Sequence, residues 1–174
     1  AQPSDHDIAV LNQRYQPAFI PKQGEGYIRL TTHNYLADTY NENELKKLPG
    51  HSYTYQAQIE GNFPEYSYPT SEVLTLKEGA QVMFVKNDPT GDHRYYNGRI
   101  GEVVEISESR VCVLCAGDAE GIEVEPLEWE NAQYQLNEET RVIETKVQGK
   151  FRQLPLSLAW AITIHKSQGL TFER

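Results

Sequence analysis

The chain has 174 residues, enough for one average domain or two small ones. Apolar residues make up 39% and charged residues 24%, so a buried core is feasible and wholesale disorder is excluded. The 16 basic and 25 acidic side chains give a charge of −9, which excludes an overall basic footprint for nucleic acid. No apolar run approaches the roughly 18 residues of a membrane helix, no secretory leader is visible, and two cysteines cannot build a disulfide framework. The expectation is a soluble cytoplasmic protein, nucleoid-associated if bacterial, with no membrane partner.

The acidity is local. Residues 101–145 hold 12 acidic and 2 basic side chains, whereas residues 146–174 hold 5 basic side chains and only Glu173 as an acid. A phosphate-binding strip is therefore feasible near the C-terminal end while the middle repels phosphate.

In chain order, residues 1–26 read as a lead-in segment punctuated by Pro17, Pro21, Gly24 and Gly26. Residues 27–32 alternate like a strand. Leu36, Ala37, Tyr40, Leu45 and Leu48 follow helical spacing, with Asn34 or Asp38 as candidate cap and Pro49-Gly50 as the stop. Strand followed by helix predicts an α/β layer. Residues 51–60 alternate again, placing Tyr53, Tyr55, Ala57 and Ile59 on one side, and a Pro/Ser/Tyr-rich connection follows. From Leu74 to about Val147 come short β-like runs at 80–86, 99–106, 110–116, 122–127 and 141–147, separated by turn signals, which predict a small barrel or sandwich. The last segment reads as a helix: Leu158, Ala161, Ile162 and His165 fall on one face, Ser157 can cap it, and Gly169 suits the left-handed position past its end. Leu170 to Phe172 then look like the start of a strand, so the chain reads as one that stops inside an element.

Several motifs carry little chemistry. Cys112 and Cys115 have the spacing of a metal or redox pair, but no second pair exists, and on a strand residues three apart face opposite ways. The five histidines show no ligand spacing, and no metal site is expected. No GxxxxGK[ST] stretch and no strand ending in an Asp-Glu pair occurs, so the chain has no phosphate-cradling loop of its own. The informative stretch is Ala159 to Thr171, where Thr163, His165, Lys166, Ser167 and Gln168 crowd the end of an apolar body. Donors and one fixed cation at the rim of a packed layer suit a phosphodiester backbone.

That stretch, AITIHKSQGLTF, resembles motif V of superfamily 1 helicases, in the branch of Pif-type and RecD-like enzymes. The stretch TTHNYLADTYNENELKKLPG is similar to the family's motif IV region, and LKEGAQVMFVKND with YYNGRIGEVVEI resembles its SH3-like insert. The resemblance covers about residues 27–174 and implies an α/β fold: a partial RecA-like domain carrying an inserted SH3-like small β-barrel. Residues 1–73 would be the first part of the second motor domain, 74–148 the insert, and 149–174 the return with motif V.

The family implies an ATP-dependent DNA helicase that moves along single-stranded DNA, typically 5′ to 3′, and opens forked duplexes. ATP and Mg would be held mainly by the first RecA-like domain of the same parent chain, which also supplies the catalytic groups; none is expected here, and the isolated chain is expected to be inactive. By the same resemblance, Thr163, His165, Lys166 and Gln168 would contact or buttress the strand, Gly169 and Thr171 would face the nucleotide, and Thr32 and Asn34 would be polar positions at the motif IV strand end. On the insert, Lys86, Arg94, Tyr95, Tyr96 and Arg99 are the candidates for DNA contact, since aromatics beside cations stack bases while neutralising phosphates. The competing reading is a non-catalytic binding module built on the barrel.

Overall fold

The computed structural model describes residues 4–20, 26–136 and 143–169. The lead-in contains a helix that its composition did not announce, α1 (Asp5–Asn12), started by a reciprocal capping box between Ser4 and Asp7; it buries none of its residues.

Strand β1 (Arg29–Thr31) runs into helix α2 (Asn34–Lys47). The expected caps Asn34 and Asp38 do not serve: His33 occupies the cap position, without a side-chain cap bond. The helix ends at Leu48, whose extended backbone (ψ 136°) is what a following proline imposes, and Gly50 turns the chain at φ +86°. Ala37 and Leu45 on its inner face are buried.

The predicted alternation over 51–60 is present, but as two strands, β2 (Tyr53–Gln56) and β3 (Gln58–Gly61), that pair with different partners. Then follow β4 (Val73–Leu76), β5 (Gln81–Phe84), β6 (Ile100–Ile106), β7 (Val111–Cys115), β8 (Ile122–Val124), β9 (Leu127–Leu136), β10 (Ile143–Gln153), β11 (Leu156–Leu158) and β12 (Ala161–Thr163). A four-residue helix, α3 (Ile164–Ser167), closes the described chain.

Four sheets result. The largest has the order β11-β5-β6-β7-β8; β3 and β9 flank β10; β2 pairs with β4; and β1 pairs in parallel with β12. The main core lies under the five-stranded sheet, where Leu76, Val82, Phe84, Val103, Val113 and Leu156 are fully or almost fully buried. Its fifth strand, β11, comes from beyond the expected insert boundary at 148. A second, small cluster of Met83, Ala159 and Ile162 lies where the five-stranded sheet meets the parallel pair. Gln81 from β5 stitches this junction, its amide donating to the carbonyls of Tyr27 (3.0 Å) and Ala159 (2.8 Å).

The predicted C-terminal helix is corrected. Residues 156–163 form two short strands, and only Ile164–Ser167 are helical, capped by Thr163 rather than Ser157. Helical spacing is present, yet Leu156–Leu158 are met by the edge of β5 and the β-branched residues Ile162 and Thr163 by the edge of β1, and pairing there outweighs the local pattern. Leu170 to Phe172 lie outside the described residues. Among the described residues no helix is long and apolar enough to cross a membrane.

Candidate functional site

The parallel pair brings two groups of predicted residues together. Register pairs Thr31 with Thr163, so β1 and β12 end side by side; β12 passes directly into α3, and β1 reaches α2 through Thr32 and His33. In open α/β sheets ligands bind outside such carboxyl ends.

From β1 the rim receives Thr32, His33 and Asn34, all exposed. The Thr32 hydroxyl lies 2.8 Å from His33 Nδ1. From β12 it receives His165, Lys166, Gln168 and Gly169, also exposed. Gly169 has φ +80°, the left-handed turn expected after the helix. Thr163 differs from the rest. It is only 5% exposed, and its hydroxyl oxygen accepts from the Lys166 N–H at 3.4 Å, so it shapes the corner from beneath. Thr171 lies outside the described residues.

Two residues that motif reading missed hold this corner together. The Thr31 hydroxyl sits 3.2 Å from the carbonyls of both Ile162 and His33, linking the strand ends. Asn41, buried in α2, bonds to the backbone of β12: its Oδ1 accepts from Ala161 N–H at 2.8 Å, and its Nδ2 donates to Ala161 C=O at 2.9 Å. A signal for Asn41 exists in the sequence, because it falls on the same helical stripe as Ala37, Leu45 and Leu48. An amide at a core position must find partners.

The electrostatics of the corner differ from those of the chain. No Asp or Glu occurs between Arg29 and Ala37 or between Arg152 and Gly169. A protein of charge −9 therefore exposes here hydroxyl, amide, imidazole and ammonium groups with no neighbouring carboxylate in either stretch. These groups can donate to an anionic backbone.

The loop between β5 and β6 is built differently. Asp88 has no exposed side-chain surface, and it accepts from Thr90 N–H (3.0 Å), Thr90 Oγ1 (2.7 Å), Arg94 N–H (3.0 Å) and Arg94 Nε (3.1 Å). Burial pushes this carboxyl up, but the bonds from Thr90 and Arg94 outweigh burial and hold it well below the usual carboxylate range. Arg99 pairs with Asp118 at 2.6 Å and donates to the Arg94 carbonyl. Lys86 lies over the Trp129 ring and donates to the Glu128 carbonyl. Tyr95 is buried and stacked on Phe84, so the expectation that it faces DNA is corrected: its ring belongs to the core. Tyr96, at 56% exposure, is the aromatic this loop presents.

Cys112 and Cys115 are both buried and unlinked. Burial pushes the Cys115 thiol up to about 11. Among the described residues, no group of three His, Cys, Asp or Glu side chains could hold a metal ion.

No protein-family profile matches the chain. Its sequence is 31% identical to ATP-dependent DNA helicase Pif1 of Psychrobacter sp. (strain PRwf-1), over 83% of this chain and 29% of that protein. Its structure is similar to Bacteroides sp Pif1 in complex with ADP-AlF4, with a TM-score of 0.85 and 33% identity over 99% of this chain and 39% of that one. It is also similar to Bacteroides Pif1 bound to ssDNA, with a TM-score of 0.72 and 33% identity over 98% of this chain and 38% of that one. The chain spans under a third of the length of the curated relatives it matches.

Proposed function

We infer that this chain, which matches a segment of the Pif-type superfamily 1 helicases over most of its length, is the part of such a helicase that grips single-stranded DNA in the second motor domain. The observation that carries this reading is the rim at the ends of β1 and β12, whose contributing stretches 29–37 and 152–169 contain no Asp or Glu. It gathers Thr32, Asn34, His165, Lys166 and Gln168 on one edge of an otherwise acidic chain. Bacteroides Pif1, similar in structure over nearly the whole chain, has been seen bound to ssDNA.

Lys166 neutralises a phosphate, while Asn34, Gln168 and the Thr32 hydroxyl donate to phosphate oxygens, contacts that set register without reading sequence. Thr163 and Thr31 buttress the corner from below. By the family resemblance, Gly169 and Thr171 would face the nucleotide. This chain has no phosphate loop, so ATP and Mg would be held mainly by the first motor domain of the parent, and ATP supplies the energy of translocation there. Residues 74–148 are read as an SH3-like insert. Arg94 and Arg99 serve its internal ion pairs first, which leaves Tyr96 as its surface for stacking a base.

The test is titration of the chain against a labelled oligodeoxythymidine over a range of salt. Lys166→Ala is expected to weaken binding and to flatten the slope of log affinity against log salt by about 0.7, the value for one phosphate contact on a single strand. Binding that Lys166→Ala leaves unchanged in both affinity and slope would move the strand contact away from this corner.

A further inference from the structure

Asn41 makes to β12 the two bonds that a neighbouring strand would make. In the parallel pairing, Arg29 N–H donates to the Trp160 carbonyl, so the backbone groups of Trp160 and Ile162 face β1 and those of Ala161 face away. That far edge is where Asn41 sits, accepting from Ala161 N–H at 2.8 Å and donating to its carbonyl at 2.9 Å, with a weaker third contact to the Leu158 carbonyl at 3.3 Å. Asn41 is 6% exposed, so these groups have no water to turn to if the amide is lost.

The bracing acts on both halves of the rim. Thr163 lies two residues beyond Ala161, about 7 Å along the strand, and leads straight into His165 and Lys166. The helix that carries Asn41 begins at Asn34, about 10 Å and two turns earlier. One element thus presents Asn34 at its first turn and locks the strand that presents Lys166.

We propose that Asn41 is a positioning residue for strand binding: it sets the distance between the Thr32–Asn34 and His165–Lys166 halves of the rim, so that one phosphodiester run can touch both. This rests on the function proposed above. Asn41 touches no DNA itself and acts through Ala161.

The test uses the 174-residue chain, its Asn41→Ala, Lys166→Ala and doubly substituted forms, and a labelled oligodeoxythymidine titrated at several salt concentrations. Asn41→Ala is expected to flatten the salt slope by about 0.7, as Lys166→Ala does, because a misplaced ammonium no longer displaces a counterion. The double substitution is expected to flatten it no further. A merely structural defect would lower the fraction of chain able to bind and leave the slope of the remainder alone. A folded Asn41→Ala chain with the wild-type slope overturns the proposal. So does a double substitution whose losses add. Should Asn41→Ala not fold, amide exchange in the unsubstituted chain decides: oligonucleotide is expected to slow exchange at Ala161 and Lys166 together, and an unchanged Ala161 amide overturns the proposal. If Lys166→Ala itself is silent, the strand-gripping reading fails and this one with it. If Lys166→Ala flattens the slope and Asn41→Ala does not, only the positioning role fails.

Discussion

Asp88→Ala is expected to cost about 3 kcal/mol of folding stability. Four donors converge on this carboxylate, two of them the backbone N–H groups of Thr90 and Arg94. A hydrogen bond contributes about 0.5–1.5 kcal/mol net, and because the loop borders solvent and the freed donors can rehydrate, the three bonds other than the Arg94 Nε contact lose about 0.8 kcal/mol each. The Arg94 ion pair adds at most about 0.5 kcal/mol, because the arginine side chain is 41% exposed. The pH dependence follows from the depressed pKa. The unfolded carboxyl takes up its proton near pH 4, whereas the native one resists to well below that. The stabilisation is therefore fully present above about pH 4 and is lost as pH falls toward the native value. Asp88→Asn keeps the volume but turns an NH2 toward the Arg94 donors, so its deficit against the unsubstituted chain should be largest at pH 7 and shrink at pH 3. Urea unfolding followed by tryptophan fluorescence and far-UV circular dichroism at both pH values measures this. A cost below about 1 kcal/mol for Asp88→Ala, or an Asp88→Asn deficit that ignores pH, would refute the reasoning.

Gly149→Ala should be strongly destabilising, seen as a lower melting temperature, because a Cβ there would stand 2.5 Å from the backbone carbonyl of Asn62 where β10 crosses β3; an unchanged melt would mean the two strands can part. The Cys115 thiol, raised by burial, should react with a disulfide reagent at pH 8 far more slowly in the native chain than in denaturant. Comparable rates would contradict its burial.

The strands between Gln81 and Val124 are legible because their turns are announced: Asn97-Gly98 and Ala116-Gly117-Asp118 bracket alternating apolar runs, and Gly98 and Gly117 adopt the positive φ such turns need. Helix α2 was equally plain from its stripe and its Pro49 stop. Strand β9 was not, since Leu127–Leu136 alternates weakly and gains its structure from β10. The C-terminal strands are hidden for a related reason: three-residue strands carry almost no periodicity, and their partners lie about 70 to 130 residues earlier in sequence. For the rim, the residue types around Lys166 were legible, but that Thr32 and Asn34 would stand beside them depended on a parallel pairing no local pattern encodes. In the 86–99 loop a sequence shows charge and hides its partner: Asp88 and Asp118 engage Arg94 and Arg99 in ion pairs that no local pattern announces.

Only Ala159 and Trp160 separate β11 from β12, so a single stretch of backbone is a member of two sheets at once. Deleting or adding one residue there would invert every inward-facing side chain on one side of the joint. Among the described residues, the outer half of the β9–β10 ribbon pairs only with itself and carries no such constraint. Length can therefore drift at the ribbon's far end over evolutionary time, while the two-residue joint must keep its count.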